Sequence, residues 1–348
     1  MAGASAFGIS CEERNATAPS KIYRLAHPTI VNPNTFAPVA TTPNFFLVGA
    51  AKAGTTALWR YLRQHPEIAF SPIKETHFFS SDIDTAAFRP EFAKDAAFDT
   101  AAYIASGMKE PVHQAFVRDE THYRSLFQQE APAVGEATVS YLWSAKAAQN
   151  IHQFNPDARI VMMLRNPAER AFSHFVMDLR MGYANGSFQE AVLADLEKPQ
   201  GWGRSNLYLD LGRYHQQVQR YLNTFPPEQV LVLWHEDYKA ESNAVLRQIF
   251  QFLGINDAIE IDTSERHNTA KLPKHKALQS ALKSNAFKKT MRALLPAAIT
   301  KSLKQGLYTT KGLPTLSDAD RAFVNQYLGP DIEALSLLLG RDLSHWLK

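Results

Sequence analysis

The 348-residue chain has a single cysteine, Cys11. A disulfide framework is therefore excluded, as are metal sets of the Cys-x-x-Cys kind, and a lone thiol fits a reducing compartment. No apolar run approaches the roughly 20 residues needed to span a bilayer. The opening MAGASAFGISCEERN lacks the basic and apolar regions of a secretory signal. The expectation is a cytoplasmic protein. Acidic residues are missing from His267 to Ser317, where Lys271, Lys274, Lys276, Lys283, Lys288, Lys289, Arg292, Lys301, Lys304 and Lys311 stand together, although the whole chain carries only +3. Such asymmetry suggests an anionic polymer, a membrane surface or a polyanionic cofactor near that segment. The competing reading is a solvated basic helix pair with no partner.

What is present is organised around Phe45 to Thr56, FFLVGAAKAGTT. An apolar run of strand type breaks into a small-residue turn with one lysine, and a helical pattern follows at once. Strand, glycine-containing loop and helix N-terminus together form an anion-binding arrangement, because backbone N–H groups and the positive end of the helix dipole converge there. Gly49 and Gly54 are spaced as in the nucleotide-triphosphate loop G-x-x-x-x-G-K-S/T, but Thr55 stands where the lysine belongs and the lysine comes early, at Lys52. That displacement speaks against a kinase or NTPase. Taken alone, the turn serves equally well for close packing of helix on sheet.

Residues 1–43 carry Pro19, Pro28, Pro33, Pro38 and Pro43 without periodicity and read as an irregular extension. Strand patterns follow at Phe45, Glu67 to Phe70, Ala133 to Thr138, Arg159 to Arg165 and Gln229 to Trp234. The fourth is apolar between its arginines, as in a strand buried on both faces of a parallel sheet. Helical patterns alternate with them, at Ser144 to Phe154, from Leu211 to Phe225, at Asn243 to Leu253, Asp318 to Leu328 and Asp331 to Leu339. Alternation implies one α/β domain over 44–348 with a mainly parallel sheet. Asp82 to Gln129 reads as an irregular or helical insertion. Asn166-Pro167-Ala168-Glu169 is a helix start, with an Asn cap, Pro at the first position and Glu three after the cap. It leaves Arg165 at the carboxyl end of a strand, where α/β sheets bind ligands, within reach of the ligand of Lys52. Ser173 falls about two turns into that helix. In an extended Ser71 to Phe79, Glu75 and His77 share a face and either could act as a base. His235-Glu236-Asp237 reads as a structural strand exit, and Gly201-x-Gly203 as a loop.

Three pieces together, AAKAGTTALWRYLRQHP, Lys74-Glu75-Thr76-His77-Phe78-Phe79 and LRNPAERAFSHF, resemble the sulfotransferases that use 3′-phosphoadenosine-5′-phosphosulfate (PAPS), the bacterial and heparan-sulfate-type branch in particular. The ending GRDLSHW is similar to bacterial members. The resemblance implies a P-loop-like three-layer fold with a central sheet of about five strands. It implies that Lys52, with Ala53, Gly54, Thr55 and Thr56, meets the 5′-phosphosulfate, and that Arg165 and Ser173, in the pattern R-D/N-P-x-x-R-x-x-S, hold the 3′-phosphate. Lys311 and Gly312 resemble a late phosphate clamp, although Leu313 replaces the arginine expected next. Glu75 falls where that branch places its base, with His77 as rival. Sulfuryl transfer is an in-line displacement, so a carboxylate that takes the acceptor's proton suffices. Acceleration is expected from positioning and charge stabilisation with no metal, leaving PAP as product. The acceptor would be a small molecule or glycan, a carbohydrate or glycolipid, with no nucleic acid. Ala137 stands where heparan-sulfate enzymes carry a lysine toward an acidic sugar. The alternatives are an ATP-dependent phosphotransferase and a non-enzymatic protein that binds anionic polymer or membrane through residues 267–317.

Overall fold

A computed structural model describes residues 41–264, 272–273, 308–309 and 313–348. The basic segment lies mainly outside the described residues, as do Cys11, Lys311, Gly312 and most of the Pro-rich extension.

Five strands, β1 (Phe45–Gly49), β2 (Ile68–Phe70), β5 (Ala133–Ala137), β6 (Arg159–Leu164) and β7 (Val230–Trp234), form one parallel sheet in the order β2-β5-β1-β6-β7. All five residues of β1 are buried, which is why FFLVG has no polar alternation: helices cover both faces and strands flank both edges. The five strand patterns of the sequence are thus all realised. Between β2 and β5 lie β3 (Ile73–Glu75) and β4 (Val112–Gln114), which pair in parallel as a separate small sheet. This corrects the purely irregular or helical insertion expected there. Val112 to Gln114 is too short for a pattern of its own and becomes a strand only by pairing with β3.

Helix α1 (Thr55–Leu62) follows β1. Helix α2 (Ser140–Trp143) follows β5 and precedes the crossover helix Ala147–Phe154. Helix α3 (Pro167–Met181) follows β6, and the Asn166 side chain accepts from the N–H groups of Ala168 and Glu169 as its cap. At the C-terminus, Asp318–Leu339 is one continuous helix, α4, in place of the two expected. Pro330 removes one backbone donor, but Leu328, Ile332 and Leu335 are buried on both sides of it and hold the helix through. Among the described residues no helix is long and apolar enough to cross a membrane.

Gly135, in β5, is a packing requirement. A Cβ there would lie 2.2 Å from the Phe45 ring and 2.6 Å from Phe70, whose rings meet edge to face at 5.4 Å. Gly135→Ala is expected to destabilise the fold by about 1–3 kcal/mol through overpacking, read as a lower denaturant midpoint with unchanged m-value.

Candidate functional site

The loop after β1 lies at the carboxyl edge of the sheet. Lys52 has φ 66° and Gly54 φ 92°, so the chain coils through the left-handed region twice within three residues. Gly54 caps α1 without a side-chain hydrogen bond, so the first amides of the helix, those of Thr55 and Thr56, have no intrahelical partner. A Cβ at Gly54 would meet His235 at 3.4 Å, so the loop packs tightly on the exit of β7.

The side chain of Lys52 runs toward α3, with Nζ 3.3 Å from Met177 Sδ. Residues 169, 173 and 177 recur at helical spacing in α3, so Ser173 shares a face with Met177. Arg165 donates through Nη1 to the carbonyl of Lys52 at 3.1 Å and pairs with Glu169 at 3.2 Å. The structure therefore brings Lys52, Gly54, Thr55, Thr56, Arg165 and the Ser173 face together, with Ala53 buried beneath the loop. Burial, reinforced by Arg180, Arg165 and Arg170 against the pull of Asp178, pushes the Lys52 ammonium down to about 8. Arg170 is fully buried. It donates Nη2 to the carbonyl of Tyr208, and its Nε and Nη1 have no partner. Burial holds its guanidinium down to about 10. This crowding of cations suits a polyanion, whose charge would relieve it.

A second cluster sits at the end of β3. The Lys74 ammonium is buried against Glu75 Oε1, and Glu75 Oε2 lies 4.0 Å from His77 Nε2. Burial alone would raise the Glu75 carboxyl, but Lys74, His113 and His77 hold it below its ordinary value. Burial pushes His77 down to about 4, with Arg118, Lys74 and His113 adding to the effect against Glu75. The two side chains do share a site, though not through simple strand alternation: the strand ends at Glu75 and His77 turns left-handed at φ 52°. His77 Nδ1 is 2.7 Å from Ser140 Oγ, while its Nε2 is buried without a hydrogen-bond partner.

Thr76, between them, is tethered from below. Its hydroxyl and those of Thr138, Tyr141 and Tyr123 all donate to the carboxylate of Glu136, a fully buried acid in β5. Burial raises the Glu136 carboxyl and these donors pull against it. The hub fixes the Glu75 and His77 backbone to the central sheet, and α2 joins the two clusters, since Ser140 holds His77 while a Cβ at Gly49 would strike Leu142 at 2.8 Å.

Several participants escaped sequence reasoning. Glu136 carried a signal, an acid inside the apolar run AVGEAT. Arg321, which reaches Glu169 at 3.4 Å, carried none. His235-Glu236-Asp237 does serve structurally. Trp346 Nε1 donates to Glu236 at 3.2 Å and Arg341 pairs with Asp237 at 3.1 Å, anchoring the C-terminus.

Residues 43–258 match the model of the "Sulfotransferase family". A solved sulfotransferase from Alicyclobacillus acidocaldarius is similar at TM-score 0.62 and 30% identity, over 88% of this chain and 99% of that one. Human carbohydrate sulfotransferase 15 is 26% identical over 259 residues, 63% of this chain and 45% of that protein. Bifunctional heparan sulfate N-deacetylase/N-sulfotransferase 1 of Xenopus tropicalis is 25% identical over 317 residues, 88% of this chain and 31% of that protein. The chain thus spans less than half the length of these two curated relatives.

Proposed function

Since this chain belongs to the sulfotransferase family, we propose that it moves a sulfuryl group from PAPS to a hydroxyl or amine of a carbohydrate or glycolipid by in-line displacement. The observation that carries this reading is the meeting of the Lys52 side chain, laid against Met177, with Arg165, on the Lys52 carbonyl, at the start of a helix that no side chain caps. PAPS, when bound, supplies the sulfuryl group and departs as 3′,5′-ADP. Lys52 and the amides of Gly54, Thr55 and Thr56 would face its 5′ end, and Arg165 with Ser173 its 3′-phosphate. Lys52 balances the charge that appears on the leaving oxygen as the S–O bond breaks.

Glu75 takes the acceptor's proton as the acceptor oxygen or nitrogen bonds to sulfur. Lys74 occupies Oε1, which leaves Oε2 as the basic lobe. His77, held at Nδ1 by Ser140, offers Nε2 to the same acceptor group. The names of the relatives support a glycan acceptor. The proposal includes cytoplasmic residence, supported by the lone cysteine, and contact of residues 267–317 with an anionic membrane, supported by ten basic residues without an acid between them.

Calorimetry with 3′,5′-ADP and with ATP·Mg tests the reading, with turnover of labelled PAPS beside it. Preference for 3′,5′-ADP is expected, and preference for ATP·Mg would favour a phosphotransferase. The pH dependence has a definite sign. Lys52 is protonated below about 8, and a bound anion raises its pKa, so affinity should be highest below that pH. It should fall as pH rises, with net proton uptake on binding near pH 8 when measured in buffers of different ionisation enthalpy.

A further inference from the structure

We infer that Trp202 and Trp143 form the platform on which the acceptor lies, and that the unit seated there is an uncharged sugar ring. The inference rests on the sulfuryl-transfer reading above and deepens it.

Trp202 is half-buried, with its ring centroid 5.7 Å from that of His77 and 5.9 Å from that of Trp143. The two indoles therefore lie in succession beside His77, whose Nε2 is buried and has no hydrogen-bond partner among the described residues. On the other side His77 is closed off by Phe116, stacked at 4.2 Å. A hydroxyl placed between His77 Nε2 and Glu75 Oε2 would satisfy both, and the ring that carries it would extend over Trp202.

The loop bearing Trp202 is built rather than loose. Gly203 has φ 73°, and a Cβ there would strike Phe88 at 2.4 Å. Its carbonyl accepts from the N–H of Arg89 at 2.9 Å. Three residues on, Asn206 donates its side-chain amide to Asp178 at 2.6 Å and its N–H to Asp195 at 2.6 Å. Trp143 is fixed by donating Nε1 to Asp210.

The electrostatics of the platform decide the class of ring. A pyranose offers an apolar face of C–H groups, which suits the negative face of an indole. A uronate or sulfated unit would need cations. Arg118 spends its guanidinium on the carbonyls of His77, Ser80 and Ile83, and Arg220 donates to those of Leu142 and Trp143. The carboxylates of Asp210, on Trp143, and Asp82, on the following Ser144 and Ala145, repel acids. Arg89, beside the loop, donates Nη2 to Asn206 and pairs with Glu91 at 3.4 Å, and Arg204 and Arg213 are exposed.

The test offers labelled PAPS with maltoheptaose and chitopentaose as neutral probes, and heparosan and unsulfated chondroitin as uronate probes. The wild-type enzyme is expected to sulfate a neutral probe in preference. Trp202→Leu, which keeps apolar volume but removes the ring, should raise the KM of that probe about tenfold. Trp202→Phe should stay within about threefold, and both variants should bind 3′,5′-ADP as the wild type does. An unchanged KM in Trp202→Leu, preference for a uronate probe, or sulfation of no probe by enzyme that binds 3′,5′-ADP overturns the inference. Failure of the wild type to bind 3′,5′-ADP would instead overturn the sulfuryl-transfer reading beneath it.

Discussion

Lys52→Met is expected to lower kcat by about 10²–10³-fold, the cost of removing one preorganised donor from the charge that develops in a transition state. Methionine keeps the aliphatic stem against Met177, so lost packing contributes little. Affinity for 3′,5′-ADP should fall less than kcat, because Arg165 and the Ser173 face would still hold the second phosphate. Lys52→Arg should not restore the rate, since a planar fork cannot replace a compact ammonium on a left-handed turn at φ 66°. Single-turnover kinetics beside calorimetry separates the two effects. A Lys52→Met enzyme with nearly unchanged kcat would remove Lys52 from the leaving-group role.

Glu75→Gln should abolish the base, at a cost of about 10²–10⁴-fold in kcat, with 3′,5′-ADP affinity preserved. It also strips the carboxylate from Lys74, whose side chain is 1% exposed, so a stability loss of about 3–5 kcal/mol is expected alongside. Calorimetric binding shows whether the variant is folded. The wild-type pH profile gives an independent reading. Glu75 is held below the ordinary carboxylate range and His77 is pushed down to about 4. On its acid side the profile of kcat/KM should therefore show no limb near the ordinary histidine value and fall only at more acid pH, while the alkaline side falls as Lys52 loses its proton near 8. Full activity in Glu75→Gln beside an inert His77→Ala would transfer the role of base to His77.

Much of this architecture was legible in the amino-acid order because its signals are local. FFLVG and RIVMML are apolar without alternation, and such runs become strands buried on both faces. Asn166-Pro167 announces a helix that the structure caps through Asn166 itself. Loops were harder where their form depends on distant residues. Val112 to Gln114 is a strand only beside Ile73 to Glu75, and α4 runs through Pro330 because buried side chains on either side outweigh one lost hydrogen bond.

By itself the sequence determined the order of strands and helices, the turn carrying Lys52 before α1, and Arg165 at the end of a strand, since each depends on a few neighbouring residues. Only the tertiary structure decided how Glu75 and His77 meet. Strand alternation would have paired them, but the strand stops at Glu75 and His77 turns left-handed, and the site is held instead by Thr76 on Glu136 and by Ser140 on His77. It also brought Trp202 to His77 across more than a hundred residues of chain. Contacts of that separation follow from how the core closes, and no local pattern encodes them.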